Sequence, residues 1–208
     1  MNIKVNLIFI LLLISYAIYG QASIIKIESK NIPKQIKYIG NIANSVKWTD
    51  GQGEHYVIST KTDEYASKTK GSEDLINAEL YVYHYVLKNN DTKLLWKIFD
   101  FNKECEFDLY LKFIDNSFQV TDLDKNGVAE VWIMYENQCT SDVSPAPTKI
   151  IMYEGIKKYA IRGLNRVKMS ENEFIGGQYN LDNNFKNGNA LFRKFGIELW
   201  ETHKNKTW

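Results

Sequence analysis

Between Asp50 and Gly163 the chain is written as short stretches in which apolar and polar residues take turns, separated by pairs that favour tight reversal. HYVIST (55–60), AELYVYHYVL (78–87) and KLLWKIFDF (93–101) carry the alternation, and KNNDT (88–92) separates the last two. A period of two sends successive side chains to opposite faces of a strand. Asn, Asp and Gly between such runs mark hairpins. In DLYLKFI, Leu109, Leu111 and Phe113 fall on one face and Tyr110 and Lys112 on the other. Asp115-Asn116 leads from it into SFQVTD, and Glu154-Gly155 joins KIIMYEG to KKYAIRG. The pattern predicts a mainly β fold of antiparallel meander sheets, sandwich-like or a propeller-like fragment. KTDEYASKTKGSEDL (61–75) reads as a long polar surface loop.

The two ends depart from this pattern. NALFRKFGIELWETHKN spaces Leu191, Phe195 and Leu199 four apart with Phe192 beside them, which predicts a C-terminal helix over about 189–203 capped by Asn189. Gly196 inside it costs about 1 kcal/mol relative to Ala. At the other end, Lys4 precedes an unbroken apolar run from Leu7 to Ile14, followed by the small residues Gly20 and Ala22. That layout predicts a signal peptide over residues 1–20 and one β-rich domain over 21–208. The run is shorter than the roughly 20 residues a membrane-crossing helix needs, so no transmembrane span is expected after cleavage. The expected location is outside the cytoplasm: periplasm, cell surface or extracellular space.

Without residues 1–20 the basic and acidic residues balance, since Lys4 is lost from the 26 Lys and Arg that face 25 Asp and Glu. A neutral chain lacks the field that phosphate backbones attract, so no nucleic-acid partner is expected. The only cysteines, Cys105 and Cys139, would enter an oxidising compartment on export and are expected to pair. The rival, a catalytic cysteine, has no recognisable nucleophile motif around it.

Inside the interval between the cysteines lies TDLDKNGVAEVWIMY (121–135). Asp122, Asp124 and Asn126 alternate, Gly127 permits a sharp reversal, and Glu130 returns four residues after Asn126. Hard cations such as calcium take about six to eight oxygens, which a loop turning these side chains and a backbone carbonyl inward can offer. An EF-hand would need a Glu where this chain has Ile133. The stretch instead resembles the calcium-holding hairpin loops of FG-GAP and VCBS-type repeats. That resemblance implies side-chain ligands from Asp122, Asp124, Asn126 and Glu130, a carbonyl ligand from Val128, and a structural calcium ion. The alternative is a metal-free acidic hairpin.

A longer span, from LLWKIFDF through CEFDLYLKF and SFQVTDLDKNGVAEVWIMYENQC to KYAIRG (94–163), is similar to a family of exported bacterial proteins designated surface polysaccharide biosynthesis proteins. The resemblance implies a role in building lipopolysaccharide or capsule, with envelope proteins or a surface glycan as partners. It carries no catalytic residues.

Two further readings come from the residues. Tyr81, Tyr83 and Tyr85 share one strand face, and an aromatic row can stack on sugar rings, although such rows more often pack against a second layer. Asp108 and Asp142 each lie three residues after a cysteine, so a bridge could gather them as a hydrolytic carboxylate pair near the acidic turn. His84 falls on the face opposite the tyrosines, as a core histidine would, and His55 and His203 have no sequence partner. No nucleophile elbow, Walker loop or dinucleotide fingerprint occurs. The expectation is a non-catalytic protein.

Overall fold

The computed structural model describes residues 23–89 and 91–206. The segment read as a signal peptide lies outside the described residues. Among those described, no helix is long and apolar enough to cross a membrane.

Among the described residues, fourteen strands follow in chain order: β1 (Ile25–Lys26), β2 (Asn41–Asp50), β3 (Gly53–Lys61), β4 (Tyr65–Ala66), β5 (Ile76–Lys88), β6 (Asp91–Cys105) and β7 (Asp108–Phe113). Then come β8 (Gln119–Thr121), β9 (Glu130–Thr140), β10 (Pro147–Glu154), β11 (Lys157–Leu164), β12 (Arg166–Lys168), β13 (Phe174–Gly176) and β14 (Tyr179–Leu181). Two helices follow among the described residues, α1 (Asn183–Asn187) and α2 (Ala190–His203). Sheet A runs β1-β2-β3-β5 with β4 and β6 also on β5, and sheet B runs β14-β11-β10-β9 with β7 and β8 both on β9. The strand pairings within both sheets are antiparallel, as the hairpin turns require.

The alternation seen in sequence decides how these sheets stack. Leu80 and Val82 of β5, Val57 of β3 and Trp96 and Ile98 of β6 share one core with Val131, Ile133 and Tyr135 of β9 and Ile151 of β10. That is the interior of a β-sandwich, two sheets packed face to face. The opposite face of sheet B, with Trp132, Met134, Ile150, Met152 and Ile161, lies under Phe185 of α1 and Phe192, Leu199 and Trp200 of α2. The opposite face of sheet A carries Tyr56 and Ile58 beneath Ile27 and Ile36 of the N-terminal segment. The layers therefore run from N-terminal segment through sheet A and sheet B to helices. Among the described residues the sheets stack face to face, and no propeller blade arrangement is present.

The cysteines pair, joining the end of β6 in one sheet to β9 in the other, with Cα atoms 5.7 Å apart. The helix expected over about 189–203 is present, and Asn189 caps it by accepting from Leu191 N. Its buried track is Phe192, Gly196, Leu199 and Trp200, whereas Leu191 is 49% exposed. Gly196 explains this rotation. A Cβ there would lie 3.2 Å from the Trp132 ring and 3.1 Å from Ile161, so the glycine is the flat spot where the helix meets the sheet. The stretch read as a long loop contains β4, which pairs Tyr65 and Ala66 with Asn77 and Ile76.

Candidate metal centre

The acidic turn is the connection between β8 and β9, whose last and first residues, Thr121 and Glu130, face each other across the ladder. Lys125 and Gly127 both take the left-handed backbone conformation, at φ 58° and 82°. For Gly127 that conformation is free of side-chain strain, which is the sharp reversal its position promised. The result folds Asp122, Asp124 and Glu130 inward, with one carboxylate oxygen of each within 4.8 Å of the others.

Their hydrogen bonds use only part of each carboxylate. Glu130 is fully buried, and its Oε2 accepts from Thr121 Oγ1 at 2.7 Å and from Leu123 N at 3.0 Å. Asp122 Oδ2 accepts from Gly127 N at 3.2 Å. Glu130 Oε1 and Asp122 Oδ1 are buried and find no donor among the described residues. Two orphaned carboxylate oxygens in one cluster are costly, because a buried acceptor without a partner forfeits its hydration. Burial pushes the Glu130 carboxyl above its ordinary value against the Thr121 and Leu123 bonds, and Asp124 and Asp122 push the same way. One proton would supply one donor and still leave like charges adjacent. A hard divalent cation, were one held there, would answer all three carboxylates together.

The remaining expected ligands frame the same turn. Asn126 Oδ1 accepts from Val128 N at 2.7 Å, and its amide donates to Asp124 Oδ2 at 3.2 Å and to Glu154 Oε1 at 2.8 Å. Asp124 Oδ2 also accepts from Asn189 Nδ2 at 3.1 Å. Glu154 and Asn189 lie 28 and 65 residues away from their partners in the turn, and the hairpin pattern gives no sign of either. Only the pairing of β9 with β10, which sets Glu154 opposite Glu130, brings the first of them close.

The other candidates are dispersed. Asp108 stands opposite Thr140, at the far end of β9 from Glu130. Ten residues of strand separate the two ends, roughly 33 Å. Asp142 is exposed, and its bonds with Ser144 and Thr140 hold its carboxyl below the ordinary range, the wrong direction for a general acid. The Cys105–Cys139 bridge therefore does not gather these carboxylates at the turn.

Tyr81, Tyr83 and Tyr85 do form a stacked row, with centroids 5.7 and 6.3 Å apart, and Phe99 and Phe101 extend it onto β6 at 4.9 and 5.4 Å. Their hydroxyls are engaged: Tyr81 donates to Glu79 at 2.6 Å, Tyr85 donates to Lys37 O at 2.7 Å, and Tyr83 accepts from Ile39 N at 3.3 Å. Tyr81 and Tyr83 are 6% and 5% exposed, while Phe99 and Phe101 are 45% and 43% exposed. The open part of the row is thus the phenylalanine pair, which the tyrosine pattern alone did not mark.

His84 lies between the sheets as expected, and the structure gives it a partner. His55 Nδ1 is 2.9 Å from His84 Nε2, and His55 Nε2 is 2.8 Å from Asp50 Oδ1. Trp48 stacks on His55 at 4.8 Å. No family model, curated protein or solved structure matches the chain.

Proposed function

We propose that the chain is an exported, non-catalytic protein that holds a structural calcium ion in its β8–β9 hairpin and serves the assembly of cell-surface polysaccharide. One observation carries the metal: the buried, unpartnered oxygens of Asp122 and Glu130 beside the carboxylate of Asp124. Asp122, Asp124, Glu130, Asn126 Oδ1 and the Val128 carbonyl would hold the ion, an all-oxygen set that suits calcium and not a soft metal. The ion would neutralise the cluster and fix two neighbouring strands. The polysaccharide role is supported by the sequence resemblance over residues 94–163, and export by the layout of residues 1–20.

Titration calorimetry on the oxidised protein tests the metal. The expected result is one calcium site with a dissociation constant of about 0.1 mM, in the range of extracellular modules. At a tenfold excess of calcium the protein gains about 1.4 kcal/mol of stability, seen as a higher melting temperature that chelator reverses. Asp124→Asn weakens binding by about tenfold or more, since it removes a charge from the cage. Absence of binding heat at millimolar calcium rejects the site. Loss of the gene is expected to change the surface polysaccharide profile, and an unchanged profile rejects the cellular role.

A second reading is favoured by the exposed Phe99, stacked on Tyr81, and Phe101, tilted against Phe99, with Lys97 over Phe99 and Lys103 over Phe101. This strip offers flat apolar rings beside cations, which suits a glycan bearing negative charge.

A further inference from the structure

We propose that cation occupancy at the acidic turn governs how tightly α2 docks on sheet B, with Asn189 as the coupling residue. The inference rests on the cation reading above and concerns what the ion controls.

Asn189 does two things with one amide. Its Oδ1 caps α2 by accepting from Leu191 N at 3.0 Å, and its Nδ2 donates to Asp124 Oδ2 at 3.1 Å. The first bond sets the start of the helix, and the second ties that start to a carboxylate of the cluster. Serine could cap as well, but only a longer side chain with a donor reaches Asp124. Asp124 also stands at the positive end of a 14-residue helix, which favours its charge there.

Two further links run the same way. Leu123, between the two aspartates, packs into the cluster formed by the helices and the outer face of sheet B. Trp132 Nε1 donates to Thr121 Oγ1 at 2.9 Å, and Thr121 Oγ1 donates to Glu130 Oε2 at 2.7 Å. The Trp132 ring in turn lies 4.7 Å from Phe195 of α2 and against Gly196. The turn and the helix thus share a bond, a packed leucine and a tryptophan.

The physical consequence follows from repulsion. Without a cation, like charges push Asp122, Asp124 and Glu130 apart, and displacement of this short turn moves Asp124 and Leu123 off the helix. A cation holds the carboxylates in the arrangement in which Asn189 and Leu123 make their contacts. An ion that binds the docked arrangement better than the undocked one shifts the balance by that difference in affinity, and helix docking strengthens ion binding by the same factor. Low calcium would loosen α2 and uncover the apolar face around Trp132, Met152 and Ile161.

Hydrogen exchange of the α2 amides in the oxidised protein, at 1 mM calcium and in chelator, tests the coupling. Calcium is expected to slow exchange in α2 by about tenfold, within the usual span of coupling between sites, while β2 and β3 of sheet A change little. In Asn189→Ser, which keeps a capping oxygen and loses the amide donor, the calcium effect on α2 should shrink to under about twofold, and calcium affinity should fall by a matching factor. Calcium binding to the unaltered protein with no change in α2 exchange overturns the coupling and leaves the metal site standing. No calcium binding at all removes the metal site and the coupling with it. Full calcium-dependent protection in Asn189→Ser removes Asn189 from the role.

Discussion

His84 stays uncharged because its surroundings resist a proton. Burial holds its imidazole down to about 3, and His55 pushes the same way. His84 Nε2 shares a hydrogen bond with His55 Nδ1 at 2.9 Å, and His55 Nε2 shares one with Asp50 Oδ1 at 2.8 Å. His84 Nδ1 is buried and finds no hydrogen-bond partner among the described residues. In the unfolded chain the same imidazole takes a proton near its ordinary value of 6.5. The unfolded state therefore binds more protons below that pH, and the stability His84 contributes is complete above 6.5 and lost as pH falls towards 3. Denaturation between pH 6 and 4 is expected to show a slope of about 1.4 kcal/mol per pH unit from this group. His84→Gln, which can still hydrogen-bond His55, should remove that slope. An unchanged slope in the variant would assign it to other groups. That His84 faces the interior was legible from its alternation with Leu80 and Val82. Its bond to His55 was not, because the register of β3 on β5 joins residues 29 apart.

At the scale of elements, β9 is the spine of the molecule. Its first residue, Glu130, closes the acidic cluster, its even-numbered Trp132 and Met134 face the helices, and its odd-numbered Val131 and Ile133 face sheet A. Near its far end Cys139 bonds to Cys105 of β6, so one bridge fastens the two sheets where the ladder runs out. Closing a loop between residues 34 apart should restrict the unfolded chain by about 4 kcal/mol in the entropy model. Urea denaturation of the Cys105→Ser, Cys139→Ser protein should show most of that loss. A change under about 1 kcal/mol would mean that the sheets' own packing, and not the bridge, sets their separation. The strand ends were readable from turn residues. Which strand ends met was suggested only by there being two cysteines to pair.

At the scale of the whole molecule, the described residues form a stack of four layers whose two outer faces differ. The outer face of sheet B is sealed by two helices, whereas the outer face of sheet A is covered over its tyrosines and open along Phe99 and Phe101. Phe99→Ala with Phe101→Ala should abolish binding to an acidic surface glycan while costing under about 1 kcal/mol of stability, as expected for half-exposed side chains. Tyr81→Ala should cost about 3 kcal/mol or more, because that ring is buried, so loss of binding there would say nothing about contact. Retained glycan binding in the phenylalanine variant, measured by affinity electrophoresis, sinks the second functional reading. By itself the sequence determined the strands, the turns between them, the closing helix and the spacing of Asp122, Asp124 and Glu130, because each is a local pattern with a period of its own. Only the tertiary structure decided that Glu154 and Asn189 join the turn, that Asp108 and Asp142 lie far from it, and that the exposed rings are phenylalanines. Those relations depend on strand register and on which face of the helix meets Trp132. Both are fixed by packing between segments distant in the chain, and no local pattern encodes them.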